Sequence, residues 1–267
     1  MLLSVFNGDK GDIIEADSFL LRVIGQKQQV VINRKGAHMA TKHTNLGRFA
    51  KAALERNFKL TRNDIGDDAR LSKLGMTFAT RSYEVSDIGH FCIMRMKAFG
   101  GLMKMETVIF APSCVDAPLM NVDWVSAFGK ETLIVEFYDT QLEPWPEKLQ
   151  AEYRKVALRD ADLEDRTTEP HWYDKIRYSC SYNKSGKGVT ERFNRTAEAY
   201  IGIYCAQLSE VPRCDSEDRE AKNAKIEEFA TELYRHGGQA VNMITKLFGE
   251  ETAKRVIVQH MYGVDTR

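Results

Sequence analysis

The chain has 267 residues, 43% hydrophobic and 28% charged, which is enough to bury the core of one large domain or two small ones. Thirty-eight Lys and Arg balance thirty-eight Asp and Glu, and a formal net charge of zero argues against nucleic acid as the main partner. The five cysteines are scattered, with no CxxC, no HExxH and no Cys/His cluster of zinc spacing; they read as reduced thiols, with no metal site.

The opening MLLSVFNGDKGD lacks the basic start and long apolar stretch of a secretory signal, and no apolar run approaches the roughly 18 residues of a membrane helix. No linker or internal repeat divides the chain, so a single domain over residues 1–267 is expected, with 1–43 as an N-terminal extension. From Lys27 the chain turns basic. Lys27, Arg34, Lys35, Lys42, Arg48, Lys51, Arg56, Lys59 and Arg62 face one acidic residue, Glu55. Such a stretch is either a solvated basic face or a docking patch for an acidic protein or anionic ligand.

Leu46, Phe49, Ala50, Ala53, Leu54 and Phe58 recur at helical spacing and predict an amphipathic helix over 46–58. Residues 76–139 then break into MTFATRSYEV, HFCIMRMKA, LMKMETVIFA, PLMNVDWVSA and ETLIVEFYD, short segments rich in aromatic and β-branched residues. Their turn-sized gaps leave room only for an antiparallel meander. After about residue 145 the helical period returns. One stripe runs through Phe193, Ala197, Tyr200, Tyr204 and Leu208. A second runs through Ile226, Phe229, Ala230 and Leu233, opened by Ser216 as N-cap and closed by Gly237-Gly238. A third runs through Ala253, Val256, Ile257, His260 and Met261. The fold class is an α/β, three-layer α/β/α sandwich with a central antiparallel sheet flanked by helices. Nucleotide motifs are missing: no GxGxxG opens a helix, and Ser185-Gly186-Lys187-Gly188 lacks the spaced first glycine of a phosphate loop.

The hairpin LMKMETVIFA–PSCVDA–PLMNVDWVSA carries the chemistry. Opposed residues of an antiparallel pair have numbers of constant sum. A connection centred between Cys114 and Val115 opposes Phe110 to Leu119, Val108 to Asn121 and Glu106 to Asp123. Two carboxyls on that apolar face could not both stay ionised, and a shared proton is what acid–base work needs. A register shifted by one residue would instead send one carboxyl to the opposite face.

The segment ETVIFAPSCVDAPLMNVDWV resembles the central hairpin of the ferredoxin-dependent bilin reductases, in which a strand ending in Phe-Pro precedes a Leu-Pro-x-x-x-x-Asp strand. Tyr83 in RSYEV, the strand LIVEFYDTQLEPWPEKLQAEY, the stretch EPHWYDKIRYS and the closing NMITKLFGEETAKRVIVQHMYGVD are similar to family segments in the same order. The resemblance covers about residues 44–265.

That resemblance implies an oxidoreductase that binds an open-chain tetrapyrrole between sheet and C-terminal helices. Reduced ferredoxin would supply electrons one at a time, with no flavin or metal bound. Asp123 matches the family's central aspartate, which donates protons to the bilin; Glu106 falls where the family usually has His or Asn. Arg166 lies within one position of a basic residue that holds a propionate. Trp172 and Gln239 fall at substrate-binding positions. The family's second aspartate, in the helix before Phe-Gly, is replaced by Gly238, and the Trp of the last helix by Thr252. The implied reaction is reduction of biliverdin or a dihydrobiliverdin to a phycobilin-type product. A reductase of a chlorophyll-derived open tetrapyrrole and a non-catalytic bilin carrier are the alternatives. A monomer in a bacterial cytoplasm or plastid stroma is expected.

Overall fold

The structure is a computed structural model describing residues 44–265, apart from residues 167 and 238 and the side chain of Gln239. The expected N-terminal extension, and Lys27, Arg34, Lys35 and Lys42 with it, lies outside the described residues.

The strands form one nine-stranded sheet in the order β1-β3-β4-β5-β6-β7-β9-β8, with β2 also paired to β3. They are β1 (Leu60–Arg62), β2 (Arg70–Lys73), β3 (Met76–Val85), β4 (Gly89–Ala98), β5 (Met103–Pro112), β6 (Leu119–Ala127), β7 (Lys130–Tyr138), β8 (Glu164–Asp165) and β9 (Tyr182–Gly186). Every pairing is antiparallel, and β3 to β7 are the meander that the short gaps require. β1, β2, β8 and β9 are too short and polar to stand out in the sequence.

Helices cover both faces. α1 (Leu46–Glu55), α2 (Glu147–Ala157) and α3 (Thr190–Glu210) pack on one face, with Phe91, Val108, Phe110, Val122, Val135 and Phe137 beneath them. α4 (Ser216–His236), α5 (Gln239–Phe248) and α6 (Glu250–Lys254) cover the other, over Phe78, Met94, Met105, Ile109, Val125 and Tyr138. α6 continues as a π-helical segment, Arg255–Met261. This is the three-layer sandwich expected from the sequence. Because neither face meets water, the strands are buried along nearly their whole length instead of alternating.

Two local expectations are corrected. α4 is capped by Asp215, not Ser216: its side chain accepts from the backbone N–H of Asp218 at 2.9 Å. The last stripe is part α-helix and part π-helix, a widening that often accompanies functional sites.

Candidate active site

The β5–β6 register decides the site. Thr107 opposes Asp123, and Glu106 opposes Trp124. The connection is centred on Val115 itself, one half-step from the centre that a symmetric turn would give. Val115 is buried in the first core, bridges to Arg213, and sits in a loop whose Ser113 and Cys114 N–H groups both donate to Ile88 O. This anchoring overrides the symmetric hairpin. Glu106 and Asp123 therefore lie on opposite faces, and the expected shared proton between them is ruled out.

Glu106 belongs to the first face, where it ties helix to sheet. Its Oε1 accepts from the Gly47 N–H of α1 at 3.1 Å and from Arg95 Nε, on the neighbouring strand, at 2.8 Å. α1 lies so close here that a Cβ on Gly47 would come within 2.5 Å of Ile93 Cγ2 and 2.9 Å of Glu106 Oε1.

Asp123 sits on the second face, beneath the C-terminal helices, with 0% of its surface exposed. One carboxyl oxygen accepts a short hydrogen bond from the Thr107 hydroxyl; the other, Oδ2, has no partner among the described residues. Burial is the main reason that its pKa is pushed up to about 7. The Thr107 hydrogen bond works against the rise, and the charge of Glu136 adds to it. Asp123 can thus hold or release a proton near neutral pH, which is the property a general acid needs.

Around it the floor is polar and under-satisfied. Thr80, Thr107, Asp123, Ile134 and Asn183 form one cross-strand row, and Ser82, Asn121 and Glu136 lie in the next. Asn121 donates to the Tyr262 hydroxyl at 3.0 Å. Thr80 Oγ1, Asn121 Oδ1, Asn183 Oδ1, Trp172 Nε1 and the Tyr173 hydroxyl are, like Asp123 Oδ2, buried and without a hydrogen-bond partner among the described residues. Each such atom normally costs about 1–3 kcal/mol, so their gathering on one face marks a surface suited to a polar ligand.

Glu136 is a second buried carboxyl of the sheet on this face. It accepts from the Tyr138 hydroxyl at 2.6 Å and from Arg177 Nη1 at 2.9 Å. It lines a cavity of about 330 Å³ with Arg166, Arg177, Ser181 and Asn183 at the β7–β9 edge. Burial pushes the Arg166 guanidinium down to about 10, so it stays charged at neutral pH. Trp172, in a 3-10 turn over the same face, stacks on His236 at the end of α4, with ring centroids 5.4 Å apart. Gln239 begins α5, but its side chain, like Gly238, lies outside the described residues.

Of the residues singled out from sequence, Asp123, Arg166 and Trp172 share this side of the sheet, and Glu106 does not. Thr107, Asn121, Glu136, Arg177 and Tyr262 went unnoticed. Glu136 could have been found. Ala127 and Lys130 close the β6–β7 hairpin through Phe128 and Gly129, both at positive φ (50° and 84°), and that two-residue turn places Glu136 opposite Asn121.

No protein-family model and no curated protein matches the chain. Among solved structures, the fold is similar to that of phytochromobilin synthase from tomato in complex with biliverdin. The TM-score is 0.68 and the sequence identity 12%, over 82% of each chain. The likeness places the fold with that of a bilin reductase.

Proposed function

We propose that this protein binds a linear tetrapyrrole on the second face of the sheet and reduces it with electrons from reduced ferredoxin. Asp123 carries the reading. It is a fully buried carboxyl, poised near neutrality, with one oxygen held by Thr107 and the other without a hydrogen-bond partner among the described residues. The fold it shares with a biliverdin-bound synthase, and the motifs common to the bilin reductases, support the same assignment.

Reducing one double bond of the pigment consumes two electrons and two protons. The electrons come singly from two reduced ferredoxins. Asp123 gives one proton from Oδ2 to the reduced pigment and solvent water supplies the other, while Thr107 holds the second carboxyl oxygen and so fixes the direction of transfer. Arg166, at the cavity on the β7–β9 edge, pairs with a propionate of the pigment, and Trp172 forms part of its wall. Biliverdin, or a dihydrobiliverdin, going to a phycobilin-type product is the favoured reaction. A carrier that binds without turnover is the second reading, favoured by Gly238 where the family keeps an aspartate.

Titration with biliverdin tests the reading. A structured, shifted visible spectrum is expected, saturating at about one pigment per chain at micromolar protein. No spectral change with biliverdin or its dihydro forms would remove the assignment. Turnover with reduced ferredoxin then separates enzyme from carrier.

The exposed Arg48, Arg56, Lys59 and Arg62 on and after α1 form a basic surface on the first face, suited to an acidic electron donor. Reversing Arg48 and Arg56 to Glu is expected to slow turnover about tenfold at low salt and to leave pigment binding intact. An unchanged rate, with a wild type that is still salt-sensitive, would place the dock elsewhere. No helix among the described residues is long and apolar enough to cross a membrane.

A further inference from the structure

We infer that Glu136 is the second carboxyl of this site, an anchored negative charge that keeps its neighbour Asp123 as the proton-bearing acid. The inference rests on the tetrapyrrole-reductase reading and assigns within it, as a positioning residue, the partner carboxyl of Asp123, a place for which the sequence had suggested Glu106 as a catalytic acid.

The placement follows from register. Asp123 opposes Ile134, and Asn121 opposes Glu136, so Glu136 is the diagonal neighbour of Asp123 on the adjacent strand and on the same face. Such diagonal positions lie about 7–8 Å apart between Cα atoms, within reach of a carboxylate's field. Both groups are buried, at 0% and 2% exposure, so water screens their interaction poorly.

Their hydrogen-bonding partners divide the roles. Both oxygens of Glu136 receive donors, one from Tyr138 and one from Arg177, and Arg177 is braced in turn against Asp174 at 2.9 Å. One donor is a cation, so Glu136 stands in a buried ion pair with Arg177. Among the described residues, Asp123 has one hydroxyl donor and an oxygen without a partner. When two carboxyls share a floor, the one with the better donors keeps the charge and the other keeps the proton.

Burial does most of this, and among the groups facing Asp123 few charges remain to add to it. Thr107 approaches from β5, Tyr173 from the 3-10 turn and Tyr262 from the chain after the π-helical segment. Burial holds both tyrosines neutral. Arg177, Arg166 and Asp174 stand around Glu136 and its cavity. Among the described residues, Glu136 is the anion whose charge reaches Asp123, and the raised pKa of Asp123 agrees with that. Glu136 also lines the β7–β9 cavity, which extends to the exposed Asp165.

The experiment uses the full chain without pigment. Infrared difference spectra of wild type against Asp123→Asn follow the protonated carboxyl of Asp123 as pH is raised. Glu136→Gln is expected to lower the midpoint by about one pH unit or more, since a neutral neighbour, and an Arg177 left unpaired, both favour the charged form of Asp123. Arg177→Met is expected to move the Asp123 midpoint upward, because a cation beside the pair is lost. Opposite signs are the signature of charge, which loosened packing would not reproduce. Midpoints that stay put, or move together, overturn the inference; if one variant fails to fold, the sign of the other decides. The pigment titration remains a separate measurement. Opposed shifts without biliverdin binding would keep the pair and remove the tetrapyrrole reading; binding with unmoved midpoints would remove the pair alone.

Discussion

Asp123→Asn is expected to bind biliverdin as the wild type does and to lose turnover by about 10²–10⁴-fold, the usual loss for a missing general acid. Asparagine keeps the shape and can still accept the Thr107 hydroxyl, but it cannot cycle a proton. Electron transfer would continue without protonation, so a one-electron-reduced pigment radical should accumulate and give a paramagnetic signal. Affinity should survive, because the apolar surface around the acid, including Met94, Ile109 and Phe229, supplies most of it. Glu106→Gln is the control from the other face. Its carboxyl braces α1 through Gly47 and pairs with Arg95, so turnover should stay within about twofold of wild type. Normal turnover in Asp123→Asn, or an equal loss in Glu106→Gln, would show that the chemistry is not on the second face.

The architecture was legible for reasons that also limited the reading. Strands β3 to β7 announce themselves by aromatic and β-branched runs separated by turns, and they form where the runs lie. The faces were harder. With helices on both sides, Met105, Val108 and Ile109 are all buried, and the alternation that tells inside from outside disappears. Register then hung on the β5–β6 connection alone. Its centre is set by Val115 bridging to Arg213, more than ninety positions along the chain, a contact that no local pattern carries. An error of one residue was enough to exchange Thr107 for Glu106 beside Asp123.

Other parts of the site are non-local in the same way. Asp123 stood out because the family resemblance marks it, and its burial agrees with a role as acid. Glu136 gains its meaning from Arg177, which arrives from a loop after α2, and Asn121 from Tyr262 at the far end of the chain. The helical stripe from Ala253 to Met261 gave no sign of its π-helical turns, because apolar residues at 3 and 4 spacing satisfy either geometry over so short a run.

A carboxyl poised near neutrality costs stability, and the cost has a definite pH window. Asp123 titrates near 3.8 in the unfolded chain and at about 7 when folded. A group whose folded pKa is raised contributes stability that is complete below its unfolded pKa and is lost as pH rises through the folded one. The difference of about three pH units corresponds to about 4 kcal/mol, lost between roughly pH 4 and 7. His90 acts in the opposite sense. Burial, in the main, lowers its pKa from 6.5 to about 4, so stability rises as pH goes from about 4 to 6.5. The two slopes nearly cancel, and wild-type stability should be flat across this range. Asp123→Asn removes one of them. Denaturant unfolding from pH 4 to 8 is therefore expected to show the variant gaining on wild type by about 4 kcal/mol, with the His90 slope now visible in its own curve. A difference between the two proteins that does not grow with pH would mean that Asp123 is ionised in the folded chain at pH 4 to 7. It could not then serve as the proton donor at neutral pH.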